Sequence, residues 1–181
     1  CRYTQTDGRV APQGGGRILS AAGWLLHLEA DGVPHSQAGA WFRPNPCKPS
    51  GSGADRAVTD DDITAFRFLL VESDVLPLPM QLAFFARTKL PVRAVLLSGG
   101  KSAHAWVRLD ATTQADYERM GKRILEVLKP FGFAPANKNP SRLSRLPGAK
   151  RVLGAQGDGL QRLLWISPKP GNVTDADIRD L

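Results

Sequence analysis

The sequence predicts an α+β domain built on a mainly antiparallel sheet. Its 181 residues are 42% apolar, which is enough to form one hydrophobic core. Short apolar runs of strand length are interspersed with segments whose apolar residues recur at helical spacing. The resulting order is helix, strand, strand, helix, hairpin, helix, hairpin. Because several strands follow one another without an intervening helix, antiparallel pairing is favoured.

The first elements lie between residue 17 and a loop that ends near residue 58. Apolar residues at helical spacing predict a helix over residues 17–29, and Asp31-Gly32 ends the pattern. A short strand is expected at Ala38–Arg43. Residues Pro44–Val58 contain three prolines and two glycines, so we expect a mobile loop there.

A capped turn and the strongest strand signal follow this loop. Thr59 with Asp62 three residues later resembles a capping box, and acids favour the start of a helix. We therefore interpret Asp60, Asp61 and Asp62 as a one-turn helix rather than a metal site, since adjacent helical residues do not face one another. Phe66–Glu72 is a nearly continuous apolar run, which is typical of a central strand buried on both faces.

The rest of the domain is predicted to contribute two hairpins and two helices. Helix starts and stops are indicated by capping residues, prolines and glycines, and strands by apolar runs or alternation. In chain order these elements are a helix from Pro77 to Thr88, a hairpin of Val92–Leu97 and Ser102–Leu109 around the turn Ser98-Gly99-Gly100-Lys101, a helix capped by Thr113 with an apolar stripe of Tyr117, Met120, Ile124, Leu125 and Leu128, and a hairpin of Arg151–Ala155 and Gln161–Ile166.

The chain divides into one folded domain with short flanking segments. Residues 1–16 are a polar N-terminal segment, residues 17–168 the domain, and residues 169–181 a linker with the start of a truncated helix. Two cysteines, Cys1 and Cys47, cannot make a disulfide framework, so we expect a reducing, cytoplasmic location. We also expect no membrane contact, because no apolar run is long enough to span a bilayer.

The positive charge is concentrated in the second half of the chain. The formal net charge is +7, and residues 1–90 hold nine basic and nine acidic residues, so all of the excess follows residue 90. Within that half, residues 138–151 carry five basic residues and no acid. Such an excess suits a nucleic-acid or polyphosphate partner. A solvated basic face is an equally good explanation from charge alone.

Two acids at the end of the predicted strand form a candidate metal site. Glu72 and Asp74 are two residues apart, so in a strand both carboxylates leave the same face with Cα atoms about 7 Å apart. Such a pair can hold one or two hard divalent cations. Strand ends also carry exposed acids that bind nothing, so the spacing leaves both interpretations open.

Polar residues on the next hairpin form a candidate phosphate site. In the strand register Ser102, His104 and Trp106 share one face, and small or apolar residues cover the other. A histidine two residues from a hydroxyl and just after Lys101 can donate to a phosphate oxygen. The alternative is a structural histidine.

Two arginines follow in the basic segment. Arg142 and Arg145 are three residues apart around apolar Leu143, and Pro147-Gly148 then forces a turn. The planar fork of arginine suits bidentate contacts to phosphate. A structural ion pair is the alternative, although the segment offers no acid of its own.

Three motifs follow one another along the chain: E-x-D after an apolar strand, S-G-G-K-S-x-H-x-W, and S-R-L-x-R-L-P-G. In their order and spacing they resemble the archaeo-eukaryotic primase superfamily. These are the prim-pol proteins of phages, plasmids and bacterial replication modules, and the resemblance covers Ala38 to Pro168. It implies a catalytic half related to the RNA-recognition-motif sheet, packed on a smaller N-terminal α/β unit. It also implies metal-dependent, template-directed nucleotidyl transfer in DNA replication, with Mg²⁺ or Mn²⁺, nucleoside triphosphates, a single-stranded DNA template and a fused or associated helicase.

The resemblance also implies roles for individual residues. Metal binding and catalysis fall to the acids of the first motif with the histidine of the second, phosphate contacts to the second motif and the arginines, and nucleic-acid contacts to two further basic or polar segments. The residues are Glu72 and Asp74 for metal, these two with His104 for catalysis, Lys101, Ser102, His104, Arg142 and Arg145 for the nucleotide, and Arg43, Asn45, Lys150 and Arg151 for nucleic acid.

One departure from the family pattern concerns the third acid. The family places another Asp before the arginine segment, whereas residues 131–145 contain no acid, and Ala134, Asn137 or Asn139 stands there instead. Three interpretations follow: an amide ligand at Asn137 or Asn139, metal binding by two acids alone, or a degenerate module that binds nucleotide or nucleic acid and is fused to a helicase. Two acids with a triphosphate suffice for Mg²⁺, which commonly takes only one or two protein carboxylates.

Overall fold

A computed structural model describes residues 3–6, 9–12, 16–48, 57–168 and 171. Every strand pair in these ranges is antiparallel, which confirms the predicted α+β class. In chain order the elements are β1 (Tyr3–Thr6), β2 (Arg9–Pro12), α1 (Ala21–Asp31), β3 (Trp41–Phe42), β4 (Phe66–Glu72), α2 (Leu78–Arg87), β5 (Val92–Leu97), β6 (Ala103–Ala111), α3 (Gln114–Leu128), β7 (Ser144–Arg145) and β8 (Arg162–Ile166), with 3-10 turns at Asp60–Asp62 and Lys129–Phe131.

Some predictions fall outside these ranges. Most of the loop expected at Pro44–Val58 and almost all of the linker and helix start expected at residues 169–181 lie beyond the described residues. Within the described part of the chain, no helix is long and apolar enough to cross a membrane. The segment at residues 1–16, for which only polarity was predicted, contributes the β1–β2 hairpin, with Tyr3 opposite Pro12.

The main sheet has four strands in the order β4-β6-β5-β8. The succession β4-α2-β5-β6-α3-β8 is a β-α-β-β-α-β arrangement. At one end of the sheet, the strand register places His104 of β6 between Glu72 of β4 and Leu96 of β5. The sheet thereby places residues from three separate stretches of sequence side by side on adjacent strands.

The hydrophobic core lies between one face of this sheet and the helices α2 and α3. The apolar stripe predicted for α3 is confirmed, because Tyr117 and Ile124 are fully buried and Met120 packs at the edge of the core. Leu69 and Val71 of β4 belong to the same core. Packing against helices on one face leaves the opposite face of the sheet for polar residues and their covering segments.

β4 forms where predicted, but the expectation that it is a central strand is wrong. Within the described ranges it pairs only with β6 and therefore lies at the edge of the sheet. Its open side is covered instead by polar partners: the Asn45 side chain accepts from the backbone N–H groups of Arg67 and Phe68, and the Ala134 N–H donates to the Glu72 carbonyl. These contacts satisfy backbone groups that an edge strand would otherwise expose, so Leu69–Val71 can be buried on both faces.

A two-residue strand pair covers the polar face of the sheet. β3 pairs with β7, with Trp41 opposite Arg145 and Phe42 opposite Ser144. Phe42 also packs against Trp106 of β6, with ring centroids 5.0 Å apart. The predicted strand at Ala38–Arg43 is thus shorter than expected, and the covering strand β7 was not predicted.

The prediction of a final hairpin from Arg151–Ala155 and Gln161–Ile166 is confirmed only at the base of the two segments. β8 itself pairs with β5. The base consists of an antiparallel bridge between Lys150 and Leu160 and a hydrogen bond from the Arg151 N–H to the Gly159 carbonyl, while Arg151 also forms a bridge with Ala38. The residues between Arg151 and Leu160 adopt turns, because glycines at 154, 157 and 159 have positive φ angles that do not continue a strand.

The predicted starts at Thr113 and Thr59 are confirmed by capping contacts, whereas α1 begins at Ala21, four residues later than predicted, with Ser20 as its cap. The Ser20 hydroxyl accepts from the Gly23 N–H at 3.1 Å, and the Thr113 hydroxyl accepts from the Asp116 N–H at 3.1 Å. The Thr59 N–H donates to the Asp62 carboxylate at 2.8 Å, as expected for the capped turn. Each contact satisfies a donor that the first turn of a helix leaves unpaired.

Two glycines test how tightly the turn after β5 is packed. Gly99 has φ +70°, and a Cβ there would lie 2.4 Å from the Gly159 carbonyl oxygen, whereas Gly157 has φ +61° with no atom within 4 Å of such a Cβ. We expect Gly157→Ala to lower the free energy of unfolding by about 1–2 kcal/mol through backbone strain alone. Gly99→Ala adds a backbone collision and should cost at least about 3 kcal/mol. Equal losses in urea titrations of the two variants would contradict the close packing at Gly99.

Candidate active site

A carboxylate and an imidazole meet at one end of the sheet. Glu72 ends β4 and is the register partner of His104 in β6, so both side chains lie on the same face. His104 Nε2 lies 2.8 Å from Glu72 Oε2, and the two side chains are only 7% and 15% exposed. Both residues were predicted as site residues, and the structure brings them into direct contact.

The second carboxylate oxygen of Glu72 has its own partners. Asn137 Nδ2 donates to Glu72 Oε1 at 3.0 Å, and Arg142 Nη2 lies 3.9 Å from the same oxygen. Burial raises the pKa of Glu72, whereas the contacts with His104 and Asn137 and the charge of Arg142 lower it, and the result is a pKa of about 2. Glu72 is therefore an ionised carboxylate held on both oxygens.

Asn137 presents an unsatisfied oxygen beside this carboxylate. The residue is completely buried. Among the described residues, its Oδ1 is the one buried side-chain oxygen or nitrogen without a hydrogen-bond partner. A buried polar atom without a partner is costly and rare in folded proteins. A cation or a ligand donor at this position would satisfy it.

The other nitrogen of His104 contacts a serine that the site predictions did not include. His104 Nδ1 lies 3.1 Å from the Ser144 hydroxyl, and Trp106 Nε1 donates to the same hydroxyl at 3.1 Å. Ser144 is fully buried. Its sequence signal is weak, since a serine between two arginines carries no pattern that predicts a contact with a histidine forty residues earlier.

Asp74, the second predicted metal ligand, lies beyond the end of β4 and is exposed. Its carboxylate is 3.7 Å from Lys101 Nζ, and the two side chains are 66% and 57% exposed. The structure therefore places Asp74 and Lys101 together at the turn end of the sheet, in an environment much wetter than that of Glu72. A water-exposed carboxylate changes partners at little cost.

Ser102 was predicted to contact phosphate but makes contacts within its own turn. Its hydroxyl is 3.2 Å from the Ser98 hydroxyl, and the Ser98 N–H donates to the Ser102 carbonyl. The residue is 6% exposed. These contacts close the hairpin between β5 and β6, and they give Ser102 a structural role in holding the turn.

The two arginines of the basic segment differ in their surroundings. Arg145 is buried, donates to the Ala38 carbonyl at 2.8 Å and stacks over the Trp41 ring at 4.3 Å from its centroid. Burial lowers the pKa of Arg145 to about 10. Arg142 is 42% exposed and lies next to Glu72. Arg142 is accordingly the arginine that can reach a bound phosphate, while Arg145 anchors β7 against β3.

Arg43 and Asn45, predicted to lie near nucleic acid, act as braces between segments. Arg43 donates to the backbone carbonyls of Ser141 and Val58. The buried Asn45 amide donates to the carbonyls of Phe68 and Pro140 and accepts two backbone N–H groups on its oxygen. With both donors and both lone pairs used, the Asn45 side chain has no capacity left for a nucleic-acid contact.

The remaining predicted residues lie around the basic segment. Asn139 Nδ2 donates to the Ser141 hydroxyl at 3.1 Å, and Lys150 is exposed beside its bridge to Leu160. Arg151 donates through Nε to the Leu153 carbonyl. Its guanidinium lies so close to Gly100 that a Cβ there would be 3.0 Å from Nη1. Desolvation lowers the pKa of Arg151, so a buried part of its charge is not neutralised by an acid.

The oxygen atoms around Glu72 fit a hard divalent cation. In the described ranges no group of three or more His, Cys, Asp or Glu side chains is placed to hold a metal ion. Mg²⁺ and Mn²⁺ sites nevertheless take oxygen ligands, and Mg²⁺ often uses one or two carboxylates with phosphate oxygens of a substrate. Glu72, with the unsatisfied Asn137 Oδ1 beside it, and Asp74 nearby in sequence are donors of this type. These side chains are oxygen donors of the kind that such a cation takes.

Comparisons with known proteins found similarity only among solved structures. No protein-family model matches the sequence, and no curated protein sequence matches it. The AEP domain of the cyanophage S-2L primase-polymerase aligns at a TM-score of 0.48 and 23% identity, over 65% of this chain and 62% of that one. A crystal structure of primase RepB′ aligns at a TM-score of 0.45 and 21% identity, over 63% of this chain and 39% of that one.

The low pKa of Glu72 predicts a specific loss of stability in acid. Its ordinary value of 4.5 falls to about 2 in the folded protein. Because the folded pKa lies below the unfolded one, the stabilisation is complete above about pH 4.5 and is lost as the pH falls through 2. In urea titrations between pH 6 and pH 2, the free energy of unfolding should fall further for the parent than for Glu72→Gln. The difference between the two decreases should be at most about 3 kcal/mol.

A matched control separates this effect from general acid sensitivity. Glu126 lies on the exposed face of α3, where it is 61% exposed and 3.8 Å from Lys122. Glu126→Gln should therefore follow the parent over the whole pH range, since exposed pairs contribute little. If Glu72→Gln and Glu126→Gln lose stability in parallel with the parent, Glu72 is not the titrating group.

Proposed function

We propose that this chain catalyses template-directed nucleotidyl transfer as a primase-polymerase domain. The observation that carries the proposal is the buried Glu72–His104 pair, which stands on the same sheet face as the contacts from Asn137 and Arg142. Metal-binding carboxylates beside a phosphate-binding histidine and arginine are what transfer of a nucleotide from a triphosphate requires. The order of these residues along the chain matches the motifs that resemble the family.

The substrates that we propose are nucleoside triphosphates and a single-stranded DNA template. Arg142 is half-exposed next to Glu72, and Lys101 is exposed next to Asp74, so each acid has a cation beside it that can neutralise phosphate oxygens. Cationic side chains near a transferring phosphoryl group stabilise the charge that develops on it. We further propose that a helicase, fused or associated, supplies the single-stranded template in replication.

Each residue of the site has a part in this reaction. A divalent cation held by Glu72 and Asp74, with Asn137 Oδ1 as a further oxygen, would activate the attacking 3′-hydroxyl and neutralise the leaving pyrophosphate. His104 donates a hydrogen bond from Nε2 and so binds an acceptor oxygen, which is the carboxylate of Glu72 in this structure. Arg142 holds the triphosphate by charge. The burial of Glu72 and His104 keeps bulk water from the reacting groups, which strengthens each of these interactions.

The proposal predicts that the two acids are essential. Glu72→Gln and Asp74→Asn keep the side-chain shapes and remove the charges, so each should lower nucleotide incorporation at least about 100-fold, equivalent to about 2.7 kcal/mol of activation free energy. The measurement is extension of a primed or unprimed single-stranded DNA template with Mg²⁺ or Mn²⁺. Glu126→Gln and Asp61→Asn, both on exposed positions, are the matched controls and should keep the parental rate. A Glu72→Gln variant with parental incorporation excludes this assignment.

A second candidate function is a binding module that recognises template or nucleotide without efficient polymerisation. The observation that favours it is the absence, among the described residues, of three acidic, histidine or cysteine side chains around one point. This candidate predicts single-stranded DNA binding that survives the double variant Glu72→Gln/Asp74→Asn, with no incorporation by the parent under either metal.

Binding to DNA is tested separately through the exposed lysine of the basic segment. Lys150→Gln removes one exposed charge and should weaken single-stranded DNA binding at every sequence. The slope of log affinity against log salt concentration should decrease by about 0.7, the value for one phosphate contact on a single strand. The control is Lys122→Gln on α3, which pairs with Glu126 and should leave the slope unchanged. An unchanged slope for Lys150→Gln would place the DNA elsewhere.

A further inference from the structure

Ser144 and Trp106 form a hydrogen-bond chain behind His104 that the motifs do not assign to any function. Trp106 Nε1 donates to the Ser144 hydroxyl at 3.1 Å, and that hydroxyl lies 3.1 Å from His104 Nδ1. On the other side of the ring, His104 Nε2 lies 2.8 Å from Glu72 Oε2. Ser144 is fully buried and His104 is 5% exposed, so water does not replace these partners.

The direction of each hydrogen bond follows from the donors and acceptors available. The indole N–H of Trp106 only donates, so the Ser144 oxygen accepts from it. The ionised carboxylate of Glu72 only accepts, so His104 Nε2 carries a hydrogen. In the described part of the chain, His104 Nδ1 is the one acceptor found for the hydrogen of the Ser144 hydroxyl. The hydroxyl therefore donates to Nδ1, which must have a lone pair.

We propose that Ser144, held by Trp106, is a positioning residue that fixes His104 as the Nε2–H tautomer with its ring turned toward Glu72. The Nδ1–H tautomer would direct an N–H at the Ser144 oxygen, which already accepts from Trp106 Nε1. It would also leave the serine hydrogen buried without an acceptor, and such a group costs about 1–3 kcal/mol. The chain thus selects the ring nitrogen that donates, as a hydrogen bond on one nitrogen commonly does for the other.

Among the described residues, the ring of His104 has no hydrogen-bond partner besides Glu72 and Ser144. Leu96 of β5, fully buried, is its register partner on the side away from Glu72. The charged groups that face the pair are Arg142, 3.9 Å from Glu72, and Arg145, whose charge also acts on Glu72. Phe42 and Phe68 pack against Trp106 at ring-centroid distances of 5.0 and 6.0 Å and fix its orientation. The whole chain of contacts is therefore built from β3, β4, β6 and β7 together.

The consequence for catalysis rests on the proposed function. A triphosphate oxygen, like the Glu72 carboxylate, is an acceptor, so of the two neutral tautomers only the Nε2–H form can bind it from this ring position. Loss of the Ser144 hydroxyl should therefore weaken nucleotide binding more than it slows the chemical step. We expect Ser144→Ala to raise KM for the nucleotide about 10-fold with kcat changed less than about 3-fold, and Ser144→Thr, which keeps the hydroxyl, to restore KM.

The tautomer itself is measured without nucleotide, metal or activity. Two-bond ¹H–¹⁵N correlation spectra of ¹⁵N-labelled protein at fixed neutral pH distinguish a protonated from an unprotonated ring nitrogen. The chain has three histidines, so His27→Gln and His35→Gln leave the His104 signals to be assigned. We expect the parent to show a protonated Nε2 and an unprotonated Nδ1 at His104. A protonated Nδ1 in the parent would overturn the proposal whatever the variants do.

Variants then test the two links of the chain. Ser144→Ala should give a mixture of tautomers or a shifted Nδ1 resonance, Trp106→Phe a smaller change in the same direction, and Ser144→Thr the parental spectrum. The control Ser20→Ala removes a serine hydroxyl from the start of α1, a helix with no buried residue, and should leave the His104 signals unchanged. A parental His104 spectrum in folded Ser144→Ala would overturn the proposal. A parent with the expected tautomer but no incorporation would reject the proposed function and leave the role of Ser144 standing.

Discussion

The contact between Glu72 and His104 is the interaction on which the polar face of the sheet depends. Both side chains are buried, and a buried carboxylate is stable only with hydrogen bonds to each oxygen. His104 and Asn137 supply these, and Asn137 lies in the segment that leads to β7. The irregular basic segment is thus held on the sheet by the carboxylate that it surrounds. Loss of His104 or Asn137 would leave the buried charge of Glu72 uncompensated. For this reason much of the chain around Glu72 is fixed by side-chain contacts rather than by regular strands.

Local sequence patterns predict the parts of this fold that local physics determines. β4, α2, β5, β6 and α3 were located within a few residues, because apolar periodicity and capping residues act over one or two turns. β7 was missed, since a strand of two residues has no period, and β8 was paired with the wrong neighbour. Strand pairing is decided by contacts distant in sequence: β8 pairs with β5, and only a short contact around Lys150 and Leu160 remains with the nearer segment.

The same distinction separates the site residues that sequence reasoning located from those it did not. Glu72 and His104 stand on regular strands, where parity predicts the face that each side chain occupies. Arg145 and Asn45 belong to segments without a period, and the structure shows them tied to backbone carbonyls rather than presented to a ligand. Ser144 was not predicted, because its role depends on two other side chains. β6 brings the ring of His104 and the indole of Trp106 to the same point, and both contact the Ser144 hydroxyl there.

The charges around the site favour an anion over a bare cation. Glu72 has Arg142 beside it and is influenced by Arg145, and Asp74 has Lys101 beside it, so three cations surround two carboxylates. A free divalent ion gains little from such a balance, because the nearby positive charges oppose it. A nucleoside triphosphate carrying its cation, the substrate that we propose, is still an anion, and it would meet both the positive groups and the unsatisfied oxygen of Asn137. An amide in place of a third carboxylate is consistent with this order of events: it adds an oxygen ligand without adding a negative charge that would repel the phosphates. Three of the fifteen basic residues that follow residue 90, Lys101, Arg142 and Arg145, thus lie close to the acids Glu72 and Asp74 of the first half of the chain.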